Sequence, residues 1–142
     1  MKRLGLFCLG VLLLAACYRS NTAPGRVGQM YLTTISFVTN SNEIEQFSYK
    51  QIDQAARIYK KDPTVHVLVR GYTDSMGDKE VNLNLSRVRA QKVARALQER
   101  GVPKDHLLVR GYGSAKPIAS NNTPEGRHQN RRVEIEFPYP SK

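Results

Sequence analysis

The chain has 142 residues and a formal net charge of +10 at pH 7, a length that suits one domain with a buried core. The positive excess favours a polyanionic partner. Cys8 and Cys17 are the two cysteines, so the chain beyond them has no disulfide and no thiol nucleophile.

The first predicted element is a secretory leader. A basic start precedes an apolar stretch that is too short to span a bilayer and ends in small residues. The sequence Leu-Ala-Ala-Cys at 14–17 resembles the bacterial lipobox, in which the cysteine is acylated after cleavage before it. We therefore expect 1–16 to be a signal peptide and Cys17 to carry lipid such as palmitate. The alternative is an ordinary signal peptide with a coincidental cysteine.

Export restricts the polyanions that the chain can meet. Removal of the leader leaves a net charge of +8, and Tyr18 follows the cysteine where an Asp would retain such proteins inside. The lipobox resemblance thus implies the outer membrane, with the domain facing the periplasm. Nucleic acid is then not an expected partner, whereas peptidoglycan carboxylates and lipopolysaccharide phosphates are.

A tether is expected to join the anchor to the folded domain. Residues 17–32 hold the lipidated cysteine and a polar, turn-rich stretch without period, which is typical of a flexible linker. About fourteen such residues reach at most ~50 Å. We expect the domain at 33–137 and a C-terminal tail at 138–142.

Hydrophobic periodicity predicts the elements of the domain in chain order. Strands are expected at 32–38, 65–71, 107–111 and 133–137, and helices at 45–61 and 84–100. Thr123 is the expected N-cap of a further short helix that begins with Pro124. The order β-α-β-α-β-(α)-β predicts an α/β sandwich with helices packed on one face of a small mixed sheet.

One hexapeptide occurs twice with a single difference, at 67–72 and at 107–112. Two copies do not make a solenoid. They predict two neighbouring strands that are joined by a crossover helix and end at the same edge of the sheet.

Arg89 interrupts the apolar stripe of the second long helix. At about 100° per residue it lies about 40° from Leu85, between that residue and Val93. A guanidinium that faces the core must find an anion or reach water. Alternatively, its aliphatic stem packs on the core while its head snorkels to solvent.

Asp74 is the candidate partner of Arg89. It lies just past the second strand, where an Asp can also serve only as a local turn acceptor. Because Arg89 faces the same sheet, both side chains are expected to line one cleft at the sheet edge. They can pair with each other there, or hold a zwitterion, with Asp74 at its ammonium and Arg89 at its carboxylate.

Four motifs together resemble the OmpA-like C-terminal domain, which also occurs in peptidoglycan-associated lipoprotein (Pal). They are Gly-Tyr-Thr-Asp at 71–74 and the segments 82–90, 109–113 and 130–135. The resemblance covers roughly 33–137, and its combined spacing is more specific than any single motif.

The resemblance implies non-covalent binding of peptidoglycan, in a pocket for the free end of diaminopimelate in the peptide stem. Asp74 matches the residue that binds its ammonium or nearby backbone, and Arg89 the one that binds its carboxylate. Asn82, Asn40 and Arg132 match pocket-lining positions, although many members carry Asp where this chain has Asn40. The expected role is to link the outer membrane to the cell wall.

The sequence leaves a second function open. The chain has Val-Thr at 38–39 where Pal-like members carry Asp-Phe, which leaves identity with Pal and Tol-type partners open. The alternative is an envelope scaffold lipoprotein that docks a periplasmic protein, as in Tol-Pal or secretion systems. No enzyme, cofactor or metal site is expected, because the histidines lack metal-ligand spacing and no activated serine or phosphate loop is present.

Overall fold

The computed structural model describes residues 31–38 and 41–137. Within them, the strands are Tyr31–Ser36 (β1), Val67–Gly71 (β2), Leu107–Gly111 (β3) and Arg132–Phe137 (β4). The α-helices are Tyr49–Lys61 (α1), Lys79–Gln98 (α2) and Pro124–Asn130 (α3). Short 3-10 turns, Gln46–Ser48 and Lys104–His106, precede α1 and β3. The predicted order of elements is confirmed.

Several predictions fall on residues outside this part of the chain. They are the leader at 1–16, the lipidated Cys17, the tether as far as residue 30, the pocket-lining Asn40 and the tail at 138–142. Among the described residues, no helix is both long and apolar enough to cross a bilayer.

The strands form one mixed sheet in the order β1-β4-β2-β3. β2 and β3 are parallel neighbours, with Val67 opposite Leu107 and Gly71 opposite Gly111. β4 is antiparallel to both β1 and β2. The repeated hexapeptide therefore does mark adjacent strands that end at one edge, with α2 as their crossover.

The core lies between the helices and one face of the sheet. Val69 and Ile135 from the strands and Ile52, Val93 and Leu97 from the helices are all 0% exposed and belong to one cluster. Burial of each such side chain stabilises the fold by about 1.5–3 kcal/mol. This arrangement confirms the predicted two-layer α/β sandwich.

Two glycines set how closely α2 crosses the sheet. A Cβ on Gly71 would lie 1.9 Å from the carbonyl oxygen of Ser86, and one on Gly111 would lie 2.5 Å from the backbone nitrogen of Arg87. The glycine in both copies of the hexapeptide is thus required by contact with the helix backbone. This contact brings the middle of α2, including Arg89, to the carboxyl edge of β2 and β3.

Some predicted boundaries were wrong. α2 begins at Lys79 and not at residue 84, because the Asp78 carboxylate accepts hydrogen bonds from the N–H groups of Glu80 (2.8 Å) and Val81 (3.2 Å) and caps the helix. β2 begins at Val67, two residues later than predicted. β1 begins at Tyr31, inside the segment predicted as tether.

Candidate ligand-binding site

Asp74 lies just beyond the carboxyl end of β2. The strand's hydrogen bonding continues past its end, because the Thr73 N–H donates to the Gly113 carbonyl at 2.8 Å. Asp74 Oδ1 accepts from the Met76 N–H at 3.0 Å, which is the local turn contact of its alternative role. Its second oxygen, Oδ2, lies 2.9 Å from Arg131 Nη1 in an ion pair. The Asp74 carboxylate therefore both holds the following turn, through Met76, and forms an ion pair with Arg131.

Arg89 is buried on the core side of α2, as its helical position predicted. It is 1% exposed, which excludes a snorkelling head. Nε and Nη2 donate to the Ser41 carbonyl oxygen at 3.1 and 2.7 Å, and the guanidinium lies 5.2 Å from the centre of the Phe37 ring. Nη1 is buried and has no hydrogen-bond partner among the described residues. The cation is thus held by a carbonyl dipole without an anion on Nη1.

The pKa of Arg89 shows how poorly this charge is compensated. Burial, followed by the positive charge of Arg131, lowers the pKa of Arg89 to about 10, and Asp74 acts in the opposite direction. The guanidinium remains charged at neutral pH, but at an energetic cost. An additional anion next to it would relieve both the burial and the repulsion.

Asp74 and Arg89 line the same open cavity but form no salt bridge or hydrogen bond with each other. The cavity has a volume of about 740 Å³, enough for part of a peptide. Its lining residues come from the loop after β2, from α2 and from α3: Thr73, Asp74, Met76, Asn82, Leu85, Arg89, Pro124, Glu125, Arg127, His128, Gln129 and Arg131.

Two further polar side chains that line the cavity differ in their hydrogen bonding. Asn82 is 6% exposed and donates from Nδ2 to the Met76 carbonyl at 2.8 Å, which holds the loop between β2 and α2. Thr73 is 4% exposed, and its hydroxyl has no hydrogen-bond partner among the described residues. A buried hydroxyl without a partner is costly and is often explained by an absent ligand or water.

Comparison with known proteins decides the family. The profile of the OmpA family matches residues 36–131, which include both β2 and the whole of α2. The chain belongs to the OmpA family. The predicted resemblance and fold class are thereby confirmed.

Relatives of this OmpA-family chain include proteins of known name. It is 44% identical over 101 residues to the peptidoglycan-binding protein ArfA of Mycobacterium tuberculosis, a match that covers 71% of this chain and 31% of ArfA. It is 42% identical over 101 residues to the probable lipoprotein YiaD of Escherichia coli, covering 71% of this chain and 46% of YiaD. The matched region is thus less than half of either relative.

A solved structure shares the fold over most of its length. The peptidoglycan-associated lipoprotein of Burkholderia pseudomallei superposes with a TM-score of 0.70 at 30% identity, covering 74% of this chain and 89% of that one. Proteins of the OmpA family are structural and binding proteins and not enzymes, which confirms the expectation for this chain.

One residue that the resemblance placed at the OmpA-type pocket does not line the cavity. Arg132 is the first residue of β4, and strand alternation puts it on the sheet face opposite the core, on the same side as Glu134. Its Nε donates to Glu134 Oε1 at 2.8 Å, and its guanidinium stacks 4.0 Å from the centre of the Tyr72 ring. The preceding residue, Arg131, faces the cavity instead.

Sequence reasoning missed the wall that α3 contributes. Pro124, Arg127, His128 and Arg131 follow the spacing i, i+3, i+4, i+7, so they share one helical face, and all four line the cavity. Thr123 does cap this helix as predicted, accepting from the Gly126 N–H at 3.1 Å. This spacing, counted from the predicted cap, is the signal in the sequence that could have revealed these cavity-lining residues.

Proposed function

We propose that this chain is a lipid-anchored envelope protein that binds peptidoglycan non-covalently and links the outer membrane to the cell wall. Membership of the OmpA family supports this proposal, as do relatives named as a peptidoglycan-binding protein and as lipoproteins. The bound group is the free end of diaminopimelate, which carries an ammonium and a carboxylate on one carbon.

A single observation carries the proposal: an acid and a buried guanidinium face one open cavity without neutralising each other. Asp74 pairs with Arg131, while the hydrogen bonds that Arg89 donates within the described residues both go to the Ser41 carbonyl. Opposite charges that remain separated in one cavity are complementary to a ligand that carries both signs.

The chemistry of the wall assigns each end of the zwitterion. The carboxylate fits beside Arg89, where Nη1 is buried and has no partner among the described residues. A negative charge between Arg89 and Arg131 also lowers their mutual repulsion. The ammonium fits beside Asp74, with the Thr73 hydroxyl oxygen, which has no partner in the described part of the chain, as a second acceptor. In this proposal Arg131 takes the lining role that the resemblance gave to Arg132, and Asn82 positions the loop. Asn40 remains a predicted contact.

Sedimentation with purified sacculi tests the proposal. The chain, purified in mild detergent, should pellet with diaminopimelate-type sacculi and far less with lysine-type sacculi, whose stem residue lacks the second carboxylate. Asp74→Ala and Arg89→Ala should each weaken binding by at least ~30-fold, since truncation of one partner of a desolvated charge contact costs about 2–5 kcal/mol. Arg89→Lys should also fail, because an ammonium lacks the planar fork of a guanidinium.

Matched controls separate the site from general charge loss. Arg95→Ala removes an exposed cation from the same helix, and Asp105→Ala removes an exposed acid elsewhere. Both variants should pellet like the unmodified chain, and circular dichroism should show that all variants are folded. Undiminished pelleting of the Asp74→Ala, Arg89→Ala double variant would reject the site.

The anchor has its own test. Cells that express the chain and are fed an alkyne-bearing palmitate should label it, and Cys17→Ser should abolish the label. The labelled chain should fractionate with the outer membrane, as Tyr18 after the cysteine implies. Labelling that persists in the variant would refute acylation at this position, whatever the outcome with sacculi.

A further inference from the structure

Two histidines lie side by side at the end of the sheet opposite the cavity. His66 immediately precedes β2 and His106 immediately precedes β3, and the parallel register pairs the next residues, Val67 and Leu107. The two imidazole centroids are 5.1 Å apart, and their planes are inclined by 33°. His66 and His106 are distant in sequence, and the pairing of β2 with β3 brings their rings together.

Hydrogen bonds around Tyr59 decide which nitrogen of His106 is free. The Tyr59 hydroxyl lies 3.2 Å from the Pro63 carbonyl oxygen and 2.7 Å from His106 Nδ1. A carbonyl can only accept, so with both hydrogen bonds formed the single phenol proton goes to Pro63 and the phenol oxygen accepts from Nδ1–H. In that tautomer His106 carries its proton on Nδ1, and its Nε2 has a free lone pair.

The partner ring is equally available. His66 is exposed, and its side chain makes no hydrogen bond among the described residues. Metal-binding histidines characteristically donate their other ring N–H to an oxygen, which fixes the tautomer, and Tyr59 supplies such an oxygen to His106.

We propose that His66 and His106 together bind a divalent transition-metal ion such as Zn²⁺, Ni²⁺ or Cu²⁺. Two imidazoles on one ion, each with a metal–nitrogen bond of about 2.1 Å, have ring centroids about 5 Å apart, as in this pair. Imidazole suits these ions and not Mg²⁺ or Ca²⁺, which prefer oxygen ligands. The described residues contain no group of three or more His, Cys, Asp or Glu that could hold a metal, so water completes the coordination.

Titration with the metal alone tests this site. The full chain without an affinity tag, its cysteine thiols blocked by N-ethylmaleimide, is titrated with ZnCl₂ and CuCl₂ by calorimetry and applied to a Ni²⁺-charged column. One ion should bind per chain, with Cu²⁺ bound more tightly than Zn²⁺ and with no heat from MgCl₂. Tyr59→Phe should weaken binding by about 10-fold, because the outer hydrogen bond is lost.

Variants at the three histidines decide the outcome. His66→Ala and His106→Ala should each weaken binding more than Tyr59→Phe does, while His128→Ala, a histidine at the other end of the sheet, should bind like the unmodified chain. Absence of binding, or equal loss in all three variants, would overturn the proposal. Thermal unfolding checks that the variants fold, and His66→Ala changes an exposed side chain. Sacculus binding should be unchanged in His66→Ala, so this site and the proposed wall-binding site fail or succeed separately.

Discussion

Arg131, and not Arg89, forms the ion pair with Asp74, at 2.9 Å between Nη1 and Oδ2. Arg89 instead donates two hydrogen bonds to the carbonyl oxygen of Ser41. The cavity thus contains one closed ion pair and one buried cation whose pKa is lowered to about 10. In the proposed complex, the carboxylate of the zwitterion compensates the charge of Arg89, and its ammonium binds Asp74 alongside Arg131.

Arg131, which directly follows α3, and Arg132, the first residue of β4, should have separable roles. Arg131→Ala removes a cavity wall residue and the partner of Asp74, so sacculus binding should fall by about 30-fold or more. Arg132→Ala leaves the cavity intact but loses a contact with the Tyr72 ring and an ion pair to Glu134, so it should lower the melting temperature and leave binding unchanged. Pelleting assays and thermal unfolding of both variants give the comparison. The reverse pattern would return the pocket role to Arg132.

The Thr73 hydroxyl should matter for binding and not for stability. Thr73→Val keeps the shape of the side chain and removes a buried hydroxyl that has no partner within residues 31–38 and 41–137, so the free energy of unfolding should stay equal or rise. Loss of a hydrogen bond to a charged ligand group should weaken sacculus binding by about 1.5 kcal/mol, or about tenfold. Thr73→Ser is the control and should bind normally. Equal binding by the valine variant would contradict the second-acceptor role.

The lowered pKa of Arg89 predicts a specific pH dependence of stability. Above pH 10 the folded state has released this proton while the unfolded state, with its ordinary higher pKa, still holds it. Stability therefore rises with pH in this window from this group alone. Urea unfolding of the unmodified chain and of Arg89→Met is measured at pH 8 and at about pH 11. The difference between the two chains removes the contribution of the other titrating groups. From pH 8 to about pH 11, the free energy of unfolding of the unmodified chain should rise relative to that of the variant. A fall relative to the variant would contradict the predicted direction.

Close approach of α2 to the sheet should make Gly71 intolerant of any side chain. Gly71→Ala places Cβ 1.9 Å from the Ser86 carbonyl oxygen, so the helix must shift, at a cost of about 3 kcal/mol or more. Because Arg89 is on the same helix, sacculus binding should fall too. Gly77→Ala is the control: its Cβ meets nothing within 4 Å, and only its positive φ of 87° is strained, which costs about 1–2 kcal/mol. Chemical denaturation gives both values, and equal costs would contradict the packing explanation.

Helices and strands that are specified by neighbouring residues in the sequence could be predicted. β3 has the predicted bounds, and Thr123 caps α3 as its side-chain chemistry indicated. The start of α2 was missed because Asp78 suits a turn as well as an N-cap, and only the helix that follows distinguishes the two uses.

The candidate site was predictable in part for the same reason. Helical periodicity alone places Arg89 on the apolar stripe, and chain order alone places Asp74 at the carboxyl end of β2. Neither pattern reveals that Asp74 pairs with a residue that follows it by 57 positions. Nor does either reveal the Ser41 carbonyl that holds Arg89 from 48 positions away.

The amino-acid sequence by itself determined the order of elements, the adjacency of the two repeated strands and the inward direction of Arg89. These features depend on contacts between residues three or four apart in a helix, or two apart in a strand. Tertiary structure alone decided that Arg131 and not Arg132 reaches the cavity, and that His66 meets His106. Such choices depend on distances of a few ångströms between distant segments, which exist only after helices have packed on the sheet.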